Sequence, residues 1–168
     1  MIDAVHSPRV EPALPVVLAA VFGKPGLLLL RRDKHPFAGM WGMPGGKMHR
    51  GEHLDQAVQR EVLEESGLRT RFVELRGVVT EIFQPVDGTQ LHYLLLICRL
   101  EAGTLKLKAS AEGEVRWFDA DELSRAWDSI VPSDRLMLER LVLRRPEKLY
   151  YRCRVAERAG GHKVMMFE

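Results

Sequence analysis

The sequence predicts an α+β or α/β fold in which a mixed β-sheet is packed between helices. Apolar, strand-like runs come both before and after a single amphipathic helix that ends at Gly67. Two further helix signals follow the last of these runs. The 168 residues include 46% hydrophobic and 29% charged side chains, which suits one domain with a substantial core.

The first elements are strands that lead towards the helix. Residues 14–22 and 27–31 are apolar, and the turn signal Gly-Lys-Pro-Gly separates them. Residues 41–44 form a third strand-like segment that ends at Pro-Gly-Gly. The helix follows, and Gly67 stands where a left-handed C-terminal cap is expected.

The second half of the chain continues the sheet and then adds the two helices. The predicted strands cover residues 72–83, 91–100 and 115–118, and residues 105–108 alternate enough to extend the sheet edge. Asp119 is a predicted N-cap of a helix that runs to about Trp127. Another helix is predicted to begin at Ser133 and to end before Pro146.

The C-terminal residues predict a β-hairpin. Residues 149–157 alternate, Arg-Ala-Gly-Gly forms a turn signal, and residues 162–168 can pair back. The hairpin is either an added edge ribbon or a dimer contact or cap over a site. We therefore expect a loose N-terminal arm (1–13), a main domain (14–146) and a C-terminal extension packed on it (147–168).

Charge and hydropathy narrow the function classes. The net charge of +2 has mixed signs along the chain, so we expect no nucleic-acid partner. The apolar runs are too short to cross a bilayer, and the N-terminus does not resemble a signal peptide. A cytoplasmic protein, monomeric or homodimeric, is the expectation.

Three carboxylates on the first helix indicate a metal site. Glu61, Glu64 and Glu65 are spaced i, i+3 and i+4, so they share one arc of the helix. That arc also carries the apolar residues that face the core. Placing like charges beside the core is costly unless a cation compensates them. Oxygen ligands suit Mg²⁺, or Mn²⁺, which would also hold substrate phosphates.

The stretch from Gly46 to Leu68 resembles the Nudix box, G-x5-E-x7-R-E-U-x-E-E-x-G-U, in which U is a bulky aliphatic residue. The residues at its specified positions are Gly46, Glu52, Arg60, Glu61, Val62, Glu64, Glu65, Gly67 and Leu68. The resemblance implies an α/β/α sandwich and hydrolysis of a nucleoside diphosphate linked to another group.

The same resemblance implies roles for the box residues. Glu61, Glu64 and Glu65 would be the metal ligands, with the Gly46 carbonyl as a further one. Arg60 and Glu52 would support them. Relatives often add an acid from a loop ahead of the last strand of the sheet. Glu112 is our candidate, and Glu114 is the alternative.

Candidate substrate residues lie outside the metal ligands. Arg31, Arg32 and Lys34 could meet phosphates, and Lys47 is a further substrate-binding candidate. Phe37 could stack on a base. Asp134 follows Val-Pro-Ser in a segment that resembles an oxidised-purine loop of some Nudix enzymes, although the sequence favours a helix-start acid at this position. Gly-Gly-Lys at 45–47 resembles triphosphate-cleaving members of the family more than ADP-ribose-cleaving ones, which implies a nucleoside triphosphate. ADP-ribose or a nucleotide sugar, and a sensor that binds nucleotide without cleaving it, are the alternatives.

Overall fold

The computed structural model describes residues 12–108 and 113–168, and these form one mixed β-sheet with helices on both faces. Most of the predicted N-terminal arm therefore lies outside the described residues. The strands are β1 (Leu14–Gly23), β2 (Gly26–Arg32), β3 (Trp41–Gly42), β4 (Gly45–Lys47), β5 (Thr70–Gln84), β6 (Leu91–Ala102), β7 (Gly113–Phe118), β8 (Tyr150–Arg158) and β9 (Gly161–Phe167). The helices are α1 (Leu54–Ser66), α2 (Ala120–Ala126) and α3 (Pro132–Met137).

The sheet has the order β3-β2-β1-β6-β5-β8-β9, with β4 paired to β1 and β7 paired to β2. The β1–β6 and β5–β8 pairs are parallel, and the other described pairs are antiparallel. The predicted mixed sheet is therefore confirmed. The first part of β1 pairs with β4 and its end pairs with β2, so β1 brings the strand before α1 into the centre of the fold.

Alternation along β1 divides the core into two layers. Val17, Ala19 and Val21 pack with the apolar face of α1. Leu18 and Ala20 point to the other face of the sheet and belong to the cluster that contains α3 and the π-helical turn Leu138–Val142. Helices thus cover both faces, and the predicted sandwich is confirmed.

Helix α1 begins and ends as its sequence indicates. His53 precedes it in a capping box with Gln56, whose side-chain oxygen accepts the His53 backbone N–H at 3.0 Å. Gly67 ends the helix with a φ of 72°, the left-handed conformation that glycine adopts without strain. These two caps fix where the acidic residues of α1 lie along its axis.

The C-terminal hairpin forms, and it is built into the sheet. Strand β8 pairs in parallel with β5, and β9 forms the outer edge of the sheet. The side chains of Tyr151, Cys153 and Val155 are buried in the main core. Whether the main domain ends at residue 146 stays a prediction.

Residues 105–108 do not form the predicted edge strand. The Lys108 backbone N–H instead donates to the Ser66 carbonyl at 2.9 Å, and the Trp117 indole N–H donates to the Leu105 carbonyl at 3.2 Å. These contacts hold the segment against the end of α1. Among the described residues, no helix is long and apolar enough to span a membrane.

Candidate metal centre and adjoining cavity

Helix α1 turns two of its three glutamates towards the core. Glu61 is 8% exposed and Glu65 is 2% exposed, because they lie one turn apart on the arc that also carries Val58 and Val62. Glu64 lies at the flank of this arc, and its side chain is 55% exposed. The helix therefore presents two buried carboxylates and one solvent-facing carboxylate along one side.

Strand β4 lies against these carboxylates. The Gly45 backbone N–H donates to Oε2 of Glu65 at 2.9 Å. A Cβ atom on Gly46 would lie 2.5 Å from Oε2 of Glu61, so a larger residue at this position would displace the Glu61 carboxylate. The predicted main-chain ligand at Gly46 is thus directly beside Glu61.

Arg60 connects the acids of α1 to the loop before the helix. Its guanidinium binds Glu52 through two bonds, Nε to Oε1 at 2.7 Å and Nη2 to Oε2 at 3.0 Å. Its Nη1 also donates to Oε1 of Glu61 at 2.7 Å and to Oε2 of Glu64 at 3.2 Å, and its Nη2 donates to the Lys47 carbonyl at 3.1 Å. The predicted Arg60–Glu52 pair is present.

The pairing of Arg60 with Glu52 keeps both of these groups charged. The hydrogen bond from Arg60, with a second from the His49 backbone N–H, lowers the pKa of Glu52 to about 2. The bond to Glu52 is also the main cause that raises the pKa of Arg60. A fixed positive charge therefore stands between the loop and the carboxylates, where it can orient them.

The residues present fit a hard divalent cation. The set offers carboxylate oxygens from Glu61, Glu64 and Glu65, with the glycine backbone of β4 packed against two of them. Oxygen donors of this kind select Mg²⁺ or Mn²⁺ over softer metals.

A cavity of about 220 Å³ opens beside β4. It extends from the glycines of β4, which lie next to the acids, to residues of the core cluster that contains α3. Its polar and aromatic lining includes Arg32, Phe37, Gly46, Lys47, Glu81 and Asp134. Three of the predicted substrate residues, Phe37, Lys47 and Asp134, therefore line one cavity.

Asp134 is a buried residue of the cavity lining. It is 7% exposed, and its Oδ2 accepts the Met43 backbone N–H at 2.8 Å. Burial raises its pKa to about 7, while the bond from Met43 acts in the opposite direction. Its side chain crosses from α3 to the segment between β3 and β4, so it does more than occupy the first turn of a helix.

Glu81 lines the same cavity, and our sequence reasoning missed it. This residue of β5 is 5% exposed, and burial raises its pKa against the opposing hydrogen bonds of Ser133 and Cys153. A signal was available in the sequence. The residues two places before and after it, Val79 and Phe83, are apolar, and residues spaced by two share a strand face.

The structure does not bring Arg31 to this cavity. Its side chain is exposed, donates from Nε to the Gly39 carbonyl at 3.1 Å, and lies 3.9 Å from the Glu114 carboxylate. Consecutive strand residues point to opposite faces, so Arg32 faces the cavity instead. Glu114, on strand β7, pairs with Arg31 of β2. Glu112 lies outside the described residues.

Comparisons with known proteins agree with this geometry. The family model of the NUDIX domain matches residues 12–141. The chain is 32% identical over 100 residues to an ADP-ribose pyrophosphatase of Methanocaldococcus jannaschii, a match that covers 59% of this chain and 57% of that protein. It is 33% identical over 120 residues to an oxidized purine nucleoside triphosphate hydrolase of Danio rerio, covering 70% of this chain and 75% of that protein.

A solved structure shares the fold. The NUDIX hydrolase from Nitrosomonas europaea aligns with a TM-score of 0.69 at 22% identity, over 91% of this chain and 84% of that one. The family model covers most of the chain, and two residues of the box, Gly46 and Glu61, lie next to each other in space. The chain belongs to the Nudix hydrolase family.

Proposed function

We propose that this protein is a Mg²⁺-dependent pyrophosphohydrolase, with Mn²⁺ as an alternative ion, that cleaves a diphosphate linkage in a nucleoside diphosphate derivative. Its preferred substrate is a (deoxy)nucleoside triphosphate, which it converts to the monophosphate and pyrophosphate. One observation carries this proposal. A single cavity leads from β4, which lies against the acids of α1, to the buried carboxyl groups of Glu81 and Asp134.

The acids of α1 would hold the ion beside the glycines of β4. Nudix hydrolases generally use divalent metal ions, and Glu61, Glu64 and Glu65 are the ligands we propose here. The bound ion would neutralise phosphate oxygens and activate the attacking water. Arg60, held by both oxygens of Glu52, orients the carboxylates. Glu112 remains our candidate for the additional acid.

The phosphate groups would lie along β4. The two glycines allow a close approach of the backbone, and the side chains of Lys47 and Arg32 bring positive charge to the same cavity wall. Arg32 takes the place in this proposal that the sequence suggested for Arg31, because only Arg32 faces the cavity.

The base would occupy the part of the cavity that is lined by Phe37, Glu81 and Asp134. At about 220 Å³ the cavity is smaller than the roughly 300–1,000 Å³ that enclose a whole small ligand, so it suits a base with the phosphates outside. The Phe37 ring supplies a stacking face. With a pKa of about 7, Asp134 can accept from a base N–H as a carboxylate or donate to a base carbonyl as an acid. Asp134 and Glu81, the two buried carboxyl groups of the cavity, support a purine, including an oxidised purine.

Two alternatives remain distinct from this proposal. The archaeal relative is named for ADP-ribose, which makes ADP-ribose or a nucleotide sugar the second candidate substrate. A nucleotide sensor without activity is the third, but a protein that only binds need not keep Glu61, Glu64 and Glu65 against a glycine strand.

The experiment is a measurement of kcat/KM with Mg²⁺ for purine and pyrimidine triphosphates, 8-oxo-dGTP and ADP-ribose. We expect a purine triphosphate to have the highest value. ADP-ribose as the best substrate would refute the triphosphate assignment. Binding of these nucleotides without any turnover would identify a sensor.

The base-reading role is tested by Asp134→Ala, with Asp128→Ala as the control because its side chain is 98% exposed. A site that hydrogen-bonds a base edge discriminates strongly, since a wrong base leaves buried polar groups unpaired. We expect Asp134→Ala to flatten the ranking of bases more than it lowers turnover of the best substrate. A variant that keeps the wild-type ranking would reduce Asp134 to a structural acid.

A further inference from the structure

Two histidines and a glutamate meet where the C-terminal hairpin lies against the loop between β2 and β3. His35 comes from that loop, Glu157 from β8 and His162 from β9. One ligand atom from each side chain lies within 4.8 Å of the other two. The His35 Nε2 atom is 2.9 Å from Oε1 of Glu157, and the His162 Nε2 atom is 3.7 Å from the same oxygen.

These distances suit ligands of one small cation. Nitrogen and oxygen ligands that sit about 2.0–2.2 Å from a tetrahedral metal are about 3.3 Å from each other. The separations of 2.9 Å and 3.7 Å lie on either side of that value, and His35 is exposed enough to adjust. Two imidazoles and a carboxylate are donors typical of Zn²⁺, Co²⁺ or Ni²⁺, whereas Mg²⁺ prefers oxygen donors alone.

His162 supplies a second, independent observation. Its Nε2 atom is buried and has no hydrogen-bond partner among the described residues, although buried polar atoms are normally paired. The ring is held in place by Phe37, at 4.2 Å between centroids, and by Phe83 at 5.9 Å.

Glu157 is held in an orientation that presents one oxygen to both rings. Its Oε2 accepts the Val86 backbone N–H at 3.2 Å, which leaves Oε1 towards His35 and His162. Glu157 and His162 are also direct cross-strand partners beside the hairpin turn. Supporting bonds of this kind commonly fix metal ligands in place.

We propose that His35, Glu157 and His162 form a binding site for a borderline divalent cation such as Zn²⁺, separate from the carboxylate site on α1. The ion fastens the β2–β3 loop to the C-terminal hairpin. That loop carries Pro36 and Phe37, which line the cavity. Binding at this site therefore stabilises one wall of the cavity.

The test is a calorimetric titration of Zn²⁺ into the full-length, EDTA-stripped and dialysed protein in millimolar Mg²⁺, which occupies the carboxylates of α1. We expect about one Zn²⁺ per chain. Affinity should fall at least tenfold in His35→Ala and in Glu157→Gln. His35 has a side chain that is 66% exposed, so its removal leaves the core intact. His92→Ala, which removes an exposed histidine elsewhere, should bind as the wild type does.

Melting temperatures give the second readout. Zn²⁺ should raise the melting temperature of the wild type and of His92→Ala but not that of His35→Ala. The proposal is overturned by a wild type that binds no Zn²⁺ in the presence of Mg²⁺. It is equally overturned if Zn²⁺ binding persists in His35→Ala and Glu157→Gln but is lost in Glu64→Gln, since the ion would then occupy α1.

Discussion

Among single residues, Glu64 offers the cleanest separation of chemistry from folding. Its side chain is 55% exposed and adds little to the core, unlike Glu61 and Glu65. Glu64→Gln keeps the size of the side chain but removes charge from the proposed metal site. We expect kcat to fall by about 10³-fold or more while the melting temperature of the metal-free protein stays near that of the wild type.

The matched control is Glu74→Gln, because Glu74 is also partly exposed and also pairs with an arginine, Arg76, at 2.8 Å. Steady-state turnover of the best nucleotide should be unchanged in this variant. Near wild-type turnover in folded Glu64→Gln would show that the metal site does not depend on this carboxylate.

Asp134 should make stability depend on pH. Its pKa of about 7 lies above the ordinary value of 3.8, so the folded state keeps a proton that the unfolded state has already lost. The contribution of Asp134 to folding therefore falls as the pH rises from about 4 to 7 and levels off above that range. A shift of this size corresponds to about 4 kcal/mol.

Urea denaturation at several pH values measures this effect. Between pH 4 and pH 8 the free energy of unfolding of Asp134→Asn should increase relative to that of the wild type, by up to about 4 kcal/mol. Asp128→Asn, at an exposed position, should follow the wild type throughout. Parallel curves for Asp134→Asn and the wild type would contradict a raised pKa at this site.

The sequence predicted single residues well where local periodicity decides their position. The arc of α1 follows from helical geometry, so the burial of Glu61 and Glu65 could be expected. The sequence could not decide between Arg31 and Arg32, because the face of β2 that meets the cavity depends on how distant elements pack. Glu81 was missed for a similar reason: Ser133 and Asp134 join it at the cavity only through the tertiary fold.

At the scale of elements, β8 is a structural part of the sheet. It lies between β5 and β9, and Val155 is 1% exposed. Val155→Ala should lower the free energy of unfolding by about 2 kcal/mol, because it removes buried methyl groups and leaves a cavity. Met165→Ala, in β9 with 55% of the residue exposed, should change it by no more than about 0.5 kcal/mol.

Chemical denaturation of both variants checks this role. Equal effects of the two substitutions would mean that the hairpin is only loosely attached. The sequence predicted that the hairpin exists, since alternation and the Gly-Gly turn are local signals. It could not reveal the parallel pairing of β8 with β5, because strands distant in the chain pair through tertiary contacts. The coil at 105–108 has the same explanation, since its backbone bonds to the end of α1.

For the molecule as a whole, the sheet separates two tasks. One face carries α1 and its acids. The other face carries the cavity residues Glu81 and Asp134. Strand β4 connects the two, since Gly45 bonds to Glu65 and Gly46 lines the cavity. A substrate in this cavity would therefore lie along β4, with its phosphates near the glycines beside the acids and its base near Glu81 and Asp134.

Because the metal site is built by the fold, Mg²⁺ should bind the folded protein and stabilise it by mass action. At a hundredfold excess over Kd the gain is about 2.7 kcal/mol. For a chain of 168 residues this corresponds to a rise in melting temperature of about 5–10 °C. Calorimetry of EDTA-stripped, dialysed protein with and without millimolar Mg²⁺ measures it.

The variants distinguish this site from the histidine cluster. Glu64→Gln should lose much of the Mg²⁺ effect, because one of the oxygen ligands no longer carries charge. Glu74→Gln and His35→Ala should keep it, since neither removes a carboxylate of α1. A wild-type melting temperature that does not respond to Mg²⁺ would count against a metal site formed by folding alone. The ion would then have to enter with the nucleotide phosphates, and the shift would appear only when both are present.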